Sequence, residues 1–192
     1  MLRRLYDWTL SLAGRRHAMA ALAFVAFIES SVFPLPPDLL ILPMVLARRE
    51  RWFRIATVAT IGSVLGGLAG YGIGYFLFDA FGRPLLDFYG YTAQFMRFQQ
   101  KYNEWGAWIV AFFGLTPFPY KVITIASGVT HLDVAVFMLA SAVSRGARFY
   151  VEAALLWRFG PPIRSFIEKY LGWLAAAFFV LLFGGFLALK YL

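Results

Sequence analysis

The sequence predicts an all-α membrane protein. It consists of two inverted repeats, each a proline-broken re-entrant hairpin followed by a transmembrane helix, with one more transmembrane helix towards the C-terminus. Three observations point there. Of the 192 residues, 61% are hydrophobic, 19% aromatic and only 15% charged, and mean hydropathy is +0.68, more apolar surface than a soluble domain of this length can hide. Apolar stretches recur in two sizes, half a bilayer and a whole one. Two proline-broken segments, Phe33-Pro34-Leu35-Pro36-Pro37-Asp38 and Pro117-Phe118-Pro119-Tyr120-Lys121, occupy matching places in the two halves. At one constant offset Pro34 falls on Pro117, Pro36 on Pro119 and Asp38 on Lys121. Paired broken hydrophobic segments of this kind point to a binding site at the repeat interface near the bilayer midplane, and so to a small transporter.

The N-terminal stretch, residues 1–17, is arginine-rich, with Leu2, Leu5, Thr9 and Leu12 at helical spacing and Trp8 among them. It reads as a helix lying in the cytoplasmic interface, since no small-residue cleavage site follows a signal-like core. Residues 18–78 form the first repeat. As a helix, Ala18–Ile28 reaches roughly 16 Å, about half of the hydrocarbon core, and Leu39–Ala47 is another half-length piece that returns to the starting side. The prolines between them form a tip that must be sheltered inside protein. Residues 55–78 can reach roughly 36 Å and cross. The glycines at 62, 66, 70 and 74 share one face there, which favours close helix packing over substrate contact.

Residues 79–104 balance Asp79, Asp87 and Glu104 against Arg83, Arg97 and Lys101, with aromatic residues interleaved, as suits a segment lying at the outer interface. The second repeat, 105–157, again opens with pieces too short to span, Ala107–Leu115 and Val122–Val129, and then crosses along Val134–Trp157. The last segment, 158–192, supplies an inner loop and a final crossing at Leu171–Leu189. In this arrangement three basic clusters share one side, namely Arg3, Arg4, Arg15 and Arg16; Arg48, Arg49, Arg51 and Arg54; and Arg158, Arg164 and Lys169. The net charge of +8 is thus a positive-inside pattern rather than a nucleic-acid stripe. It places the chain in the cytoplasmic (inner) membrane with its N-terminus inside. With no cysteine and two distant histidines, His17 and His131, neither a metal centre nor a cofactor is expected.

Charges inside apolar segments are the candidate transport residues: Glu29 and Asp38 in the first hairpin, Lys121 in the second, and Arg145 and Arg148 in the helix after it. Each costs about 2.5 to 3.5 kcal/mol on insertion scales, so such groups face a polar cavity or one another. Ser141, Arg145, Arg148 and Glu152 fall on one helical stripe. Arg148 with Glu152 reads equally as an intrahelical ion pair.

Phe27-Ile28-Glu29-Ser30-Ser31-Val32 leading into the first proline cluster, Gly66-Gly67-Leu68-Ala69-Gly70-Tyr71, Gly114-Leu115-Thr116-Pro117-Phe118-Pro119-Tyr120-Lys121-Val122 and Ser144-Arg145-Gly146-Ala147-Arg148-Phe149 together resemble the DedA (VTT, "SNARE-associated") family, its YqaA-like branch above all. The resemblance covers roughly residues 18–157. It implies two re-entrant hairpins in inverted repeats and movement of phospholipids or undecaprenyl phosphate between leaflets, with proton coupling. Glu29 matches the family's acidic residue in the first hairpin, and Asp38 corresponds loosely to a second that often sits further along. Many members carry arginines around the second hairpin motif where this chain has only Lys121, a gap that Arg145 and Arg148 fill from the next helix.

The expected chemistry is recognition of a lipid phosphate by Lys121, Arg145 and Arg148, with Glu29 and Asp38 exchanging protons to free or recapture the basic groups. Transport of a small non-lipid solute or ion, or a scaffold for membrane assembly, is the alternative. An intramembrane enzyme is disfavoured by the lack of cysteine and of any buried His–Asp pairing.

Overall fold

The computed structural model describes residues 17–33, 36–116, 118–160 and 162, and every regular element among them is helical. The expected interfacial helix at 1–16, the final crossing at 171–189, and Pro34 and Pro117 lie outside the described residues. In chain order the helices are α1 (Ala18–Ser31), α2 (Asp38–Ala47), α3 (Trp52–Leu77), α4 (Arg83–Tyr89), α5 (Thr92–Leu115), α6 (Tyr120–Val129) and α7 (Val134–Gly160). A 3₁₀ turn at Arg49–Arg51 precedes α3, and a π turn at Phe78–Gly82 joins it to α4.

Length sorts the helices. With 26 and 27 residues, α3 and α7 extend about 40 Å, enough to cross a bilayer, whereas α1, with 14, and α2 and α6, with 10 each, reach only about 15 to 21 Å. Both helix pairs, α1–α2 and α5–α6, are interrupted where the sequence places its prolines. Pro37 and Pro119 occupy the N-cap positions of α2 and α6, where a missing N–H costs nothing. Thr116, ending α5, is extended (φ −84°, ψ 163°), as the residue before a proline must be. Pro43 inside α2 does not end that helix; no sequence signal singled it out.

Packing contacts fix the directions. Added Cβ atoms at Gly62 and Gly66 of α3 would run into the backbone of Ala23 and Phe27, and one at Gly70 would meet the Ser30 carbonyl, so α1 lies parallel to α3. Further along the ribbon, Gly70 also faces Thr124 and Gly74 faces the Ile125 backbone. One glycine face therefore receives α1 along its first half and α6 along its second. Helix α7 runs antiparallel to α3: Phe137 packs on Tyr71, Tyr150 OH lies 2.8 Å from Thr57 Oγ1, Trp157 stacks on Trp52, and Gly160 meets Arg49. At the other end the side chains of Gln99 and Asn103 on α5 donate to the Thr130 carbonyl at the end of α6. The α1–α2 pair thus opens at the Trp52/Trp157 end and the α5–α6 pair at the opposite end, with their closed tips meeting between.

The core is split accordingly. One apolar cluster, including Leu22, Ile41, Val45, Ile55, Phe149 and Leu156, fills the Trp52 end; a second, including Tyr71, Val110, Tyr120, Ile123 and Phe137, fills the other. Ser30, Ser63, Thr124, Ser141, Ser144 and Arg145 are buried in the polar layer where the hairpin tips meet α3 and α7. Outward, large apolar side chains such as Phe76, Trp108, Leu139 and Val143 are about 70% exposed, an exterior suited to lipid rather than water.

Two sequence expectations change. Helix α1 continues past Ile28 to Ser31. The expected half-length piece Ala107–Leu115 is instead the second half of the 24-residue α5, so the division at 104/105 falls inside one helix. Nothing breaks the chain there: residues 92–105 contain neither proline nor glycine, and Gly106 is used for close approach to Leu132 rather than as a stop. The expected outer segment 79–104 accordingly divides into the π turn, α4 and the polar first half of α5. Gly90, with φ 71°, makes the stop between the two helices.

The glycine ribbon yields a graded prediction. Gly66→Ala forces α1 away from α3 and should cost about 1 to 3 kcal/mol. Gly72→Ala, with nothing within 4 Å of the new carbon, should be neutral or stabilising by about 0.5 to 1 kcal/mol. Melting curves of the two purified variants in one detergent check this; equal melting points would remove the close-approach explanation.

Candidate functional site

The polar layer is organised by α7, whose stripe of Ser141, Ser144, Arg145, Arg148 and Glu152 faces the hairpin tips. Arg145 is 1% exposed. Its Nη2 donates to Glu29 Oε2 at 2.8 Å and its Nε to Ser63 Oγ at 2.7 Å. Ser30 Oγ closes the network, 2.7 Å from Ser63 Oγ and donating to Glu29 Oε2 at 3.0 Å. The guanidinium also lies 4.9 Å from the Tyr120 ring centre and 4.6 Å from that of Phe149, cation–π contacts that gain strength when desolvated. Tyr120 is itself tied to Ser141 through its hydroxyl. One arginine thereby links α1, α3, α6 and α7. A charge taken this far from water costs several kcal/mol, offset only by such a complete set of partners.

Arg148 lies nearer the surface. Its Nη2 donates to Asp38 Oδ2 at 2.7 Å, with the side chains 21% and 34% exposed, and its Nη1 donates to the Thr116 carbonyl at 2.9 Å. Lys121 Nζ donates to the Val32 carbonyl at 3.0 Å. Thr116 and Val32 are the C-cap residues of α5 and α1. Each interrupted helix therefore points its negative dipole end at a cation, which also satisfies a carbonyl left without a helical partner. The Thr124 hydroxyl supplies a further donor to the Ser30 carbonyl, at 3.0 Å. Asp38, in the first turn of α2, has the complementary position for an anion.

All five charged residues expected from the sequence thus come to the meeting point of the hairpins. Glu29 pairs with Arg145 and Asp38 with Arg148, whereas Lys121 holds a backbone carbonyl rather than an acid. The Arg148–Glu152 ion pair is not formed, because Asp38 occupies the Nη2 side of Arg148. Of the hairpin-breaking prolines, Pro36 is exposed and Pro37 and Pro119 cap helices. Sequence reasoning missed Ser63, whose only signal is its place beside Gly62 on the packing face of α3, and the Val32 and Thr116 carbonyls. A His–Asp contact is present but is not a buried one: His131 Nε2 lies 3.4 Å from Asp79 Oδ1, with side chains 21% and 37% exposed. It belongs to the α6–α7 turn at the far end of the bundle, where Asp79 also meets Arg83 at 3.2 Å.

Long apolar helices, an apolar exterior and paired charges in a buried layer define an integral membrane protein with a transporter-like site. The VTT domain matches residues 35–158, and the chain belongs to that family, the DedA family. The match takes in Asp38, Lys121, Arg145 and Arg148, while Glu29 lies just ahead of it. An uncharacterized protein of Haemophilus influenzae is 35% identical over 173 residues, covering 88% of this chain and 89% of that one. An uncharacterized protein of Histophilus somni is 35% identical over 173 residues, covering 88% and 90%. No solved structure matches the chain. Family membership points to a membrane transporter-like role rather than an enzymatic one.

Removing one member of the buried pair should cost far more than removing its charge from both sides. Arg145→Met strands Glu29 and should destabilise by about 3 to 5 kcal/mol. Adding Glu29→Gln should recover most of that loss. Thermal unfolding of the two single variants and the double variant checks the coupling; purely additive effects would mean the pair is not the tie described.

Proposed function

We propose that this protein moves a lipid with a phosphate headgroup between the leaflets of the cytoplasmic membrane, using Arg148 and Lys121 as the accessible phosphate contacts and Arg145 as the anchor behind them. The observation that carries the reading is the Asp38–Arg148 pair. A carboxylate oxygen and a helix-end carbonyl each accept one N–H from the planar fork of an arginine that is partly open to solvent, at the meeting point of two helix breaks. Phosphate presents the same acceptor geometry to that fork as a carboxylate does, so an incoming headgroup and Asp38 compete for one cation. Protonation of Asp38 or Glu29 weakens the internal pairs and favours phosphate; deprotonation restores them and favours release.

Orientation follows from charge. Arg48, Arg49, Arg51, Arg54 and Arg158 gather at the Trp52/Trp157 end, which the positive-inside rule assigns to the cytoplasm. The α1–α2 pair then re-enters from the cytoplasmic side and the α5–α6 pair from the outside, and each is followed by a crossing helix, as inverted repeats require. Tips that meet at mid-depth give a polar site a route to either leaflet while the acyl or isoprenyl chains stay against the apolar exterior.

Because the chain has no cysteine, topology can be read from single replacements. A cysteine at exposed Arg51 should label only from the cytoplasm and one at exposed Gln100 only from outside. Labelling of both from one side would contradict the opposed hairpins.

Transport itself is tested by leaflet-to-leaflet movement of a labelled lipid phosphate in proteoliposomes, with a melting curve for each variant. Arg148→Lys keeps the charge and loses the fork, and should slow movement several-fold; Arg148→Ala should slow it about tenfold or more, a loss of about 1.4 kcal/mol. Undiminished movement in folded Arg148→Ala and Lys121→Ala, or equally fast movement of a lipid lacking phosphate, would exclude phosphate recognition here. Transport of a small solute with no lipid movement would favour the solute or ion alternative.

A further inference from the structure

Asp38 is only half accounted for by Arg148. Its Oδ2 accepts the arginine, but its Oδ1 is buried and meets no donor among the described residues. A buried carboxylate oxygen without a donor is expensive and calls for an explanation. The group within hydrogen-bonding reach of Asp38 is the carboxyl of Glu152, one turn along α7 from Arg148. Ionised carboxylates are acceptors only, so a direct hydrogen bond between the two requires a proton on one of them.

We propose that Asp38 and Glu152 hold a single proton between them, with the Glu152 O–H donating to Asp38 Oδ1, and that this shared proton governs whether Arg148 is free for phosphate. The other charged groups facing the pair are Arg148 and, one turn back on α7, Arg145; Arg145 is already engaged with Glu29 on α1, and on the α5 side the approach is the neutral Thr116 carbonyl. With one proton, the unit of Asp38, Glu152 and Arg148 is electrically neutral. Losing that proton sets two carboxylates against one guanidinium, which holds Arg148 and repels an anion. Gaining a second leaves both acids neutral and Arg148 unpaired, which draws a phosphate in. No bond other than O–H is made or broken, and the proton is exchanged with water. Glu152 is thereby a proton-holding and positioning residue whose effect on phosphate passes through Arg148. Its consequence for transport rests on the lipid-phosphate reading; the proton itself does not.

Infrared difference spectroscopy of the purified full chain tests the proton directly. At neutral pH the wild type should show a protonated-carboxyl carbonyl band that shifts in D₂O. The band should be lost in both Asp38→Asn and Glu152→Gln, because each new amide donates to the remaining carboxylate and removes the need for a proton, and it should persist in Glu29→Gln. Glu152→Gln leaves the Arg148–Asp38 bond in place and should melt close to wild type, so it decides the matter should Asp38→Asn fail to fold. In weakly buffered solution, addition of a short-chain lipid phosphate should drive uptake of about one proton per phosphate bound in the wild type and none in Glu152→Gln. Absence of the band in the wild type, or its survival in either variant, overturns the shared proton. If the band behaves as expected but no lipid phosphate moves in proteoliposomes, the proton site stands and the transport reading falls; lipid movement without the band overturns the proton site and leaves transport standing.

Discussion

A guanidinium buried in the middle of α7 constrains everything around it. Arg145 cannot remain charged in a low-dielectric layer unless acceptors and aromatic faces surround it, and these come from three other helices: Glu29 on α1, Ser63 on α3 and Tyr120 on α6. To bring them together, α1 and α6 must both approach α3 at backbone distance. The glycines at 62, 66, 70 and 74 permit that approach. The ribbon and the buried ion pair are therefore one device, in which close packing supplies the geometry and the pair supplies the reason for a single register.

The second constraint is set by the open carbonyl ends of α1 and α5; the tip expected to be sheltered after α1 is not, with Val32 and Phe33 61% and 63% exposed. A helix end leaves carbonyls without intrahelical partners, and cations answer that need at both breaks: Lys121 for α1 and Arg148 for α5. This divides the labour among the basic residues. Arg145 is fully enclosed and acts as an anchor. Arg148 is held by a carboxylate and a backbone carbonyl and Lys121 by a backbone carbonyl, the groups that the proposed phosphate would replace. The side chains that meet this structural need are the same ones to which the proposed transport chemistry is assigned.

Features that depend on spacing along one helix were legible in the sequence. The proline breaks, the glycine face of α3 and the stripe of Arg145, Arg148 and Glu152 on α7 all follow from local periodicity, and the structure holds each of them. Features that depend on register between helices were not. Spacing alone allowed an Arg148–Glu152 pair as readily as a partner elsewhere, since they are four apart, yet Asp38 takes the arginine because the start of α2 is brought against α7 by contacts formed elsewhere. Ser63 was hidden for the same reason: a serine beside a packing glycine carries no signal until the partner across the interface is known. The continuity of α5 through 104/105 was missed because a change from polar to apolar composition marks a change of surroundings, and nothing in the backbone there ends a helix.

The central claim is that Arg148 exchanges an internal carboxylate for the phosphate of a lipid at the meeting point of the two hairpins. An experimental structure of the full chain with a bound lipid phosphate tests it most directly. The account predicts the phosphate within hydrogen-bonding distance of Arg148, near Lys121, with the Asp38 carboxylate displaced from the guanidinium while Glu29 and Arg145 remain paired. A phosphate bound elsewhere on the protein, with Asp38 still on Arg148, would contradict it.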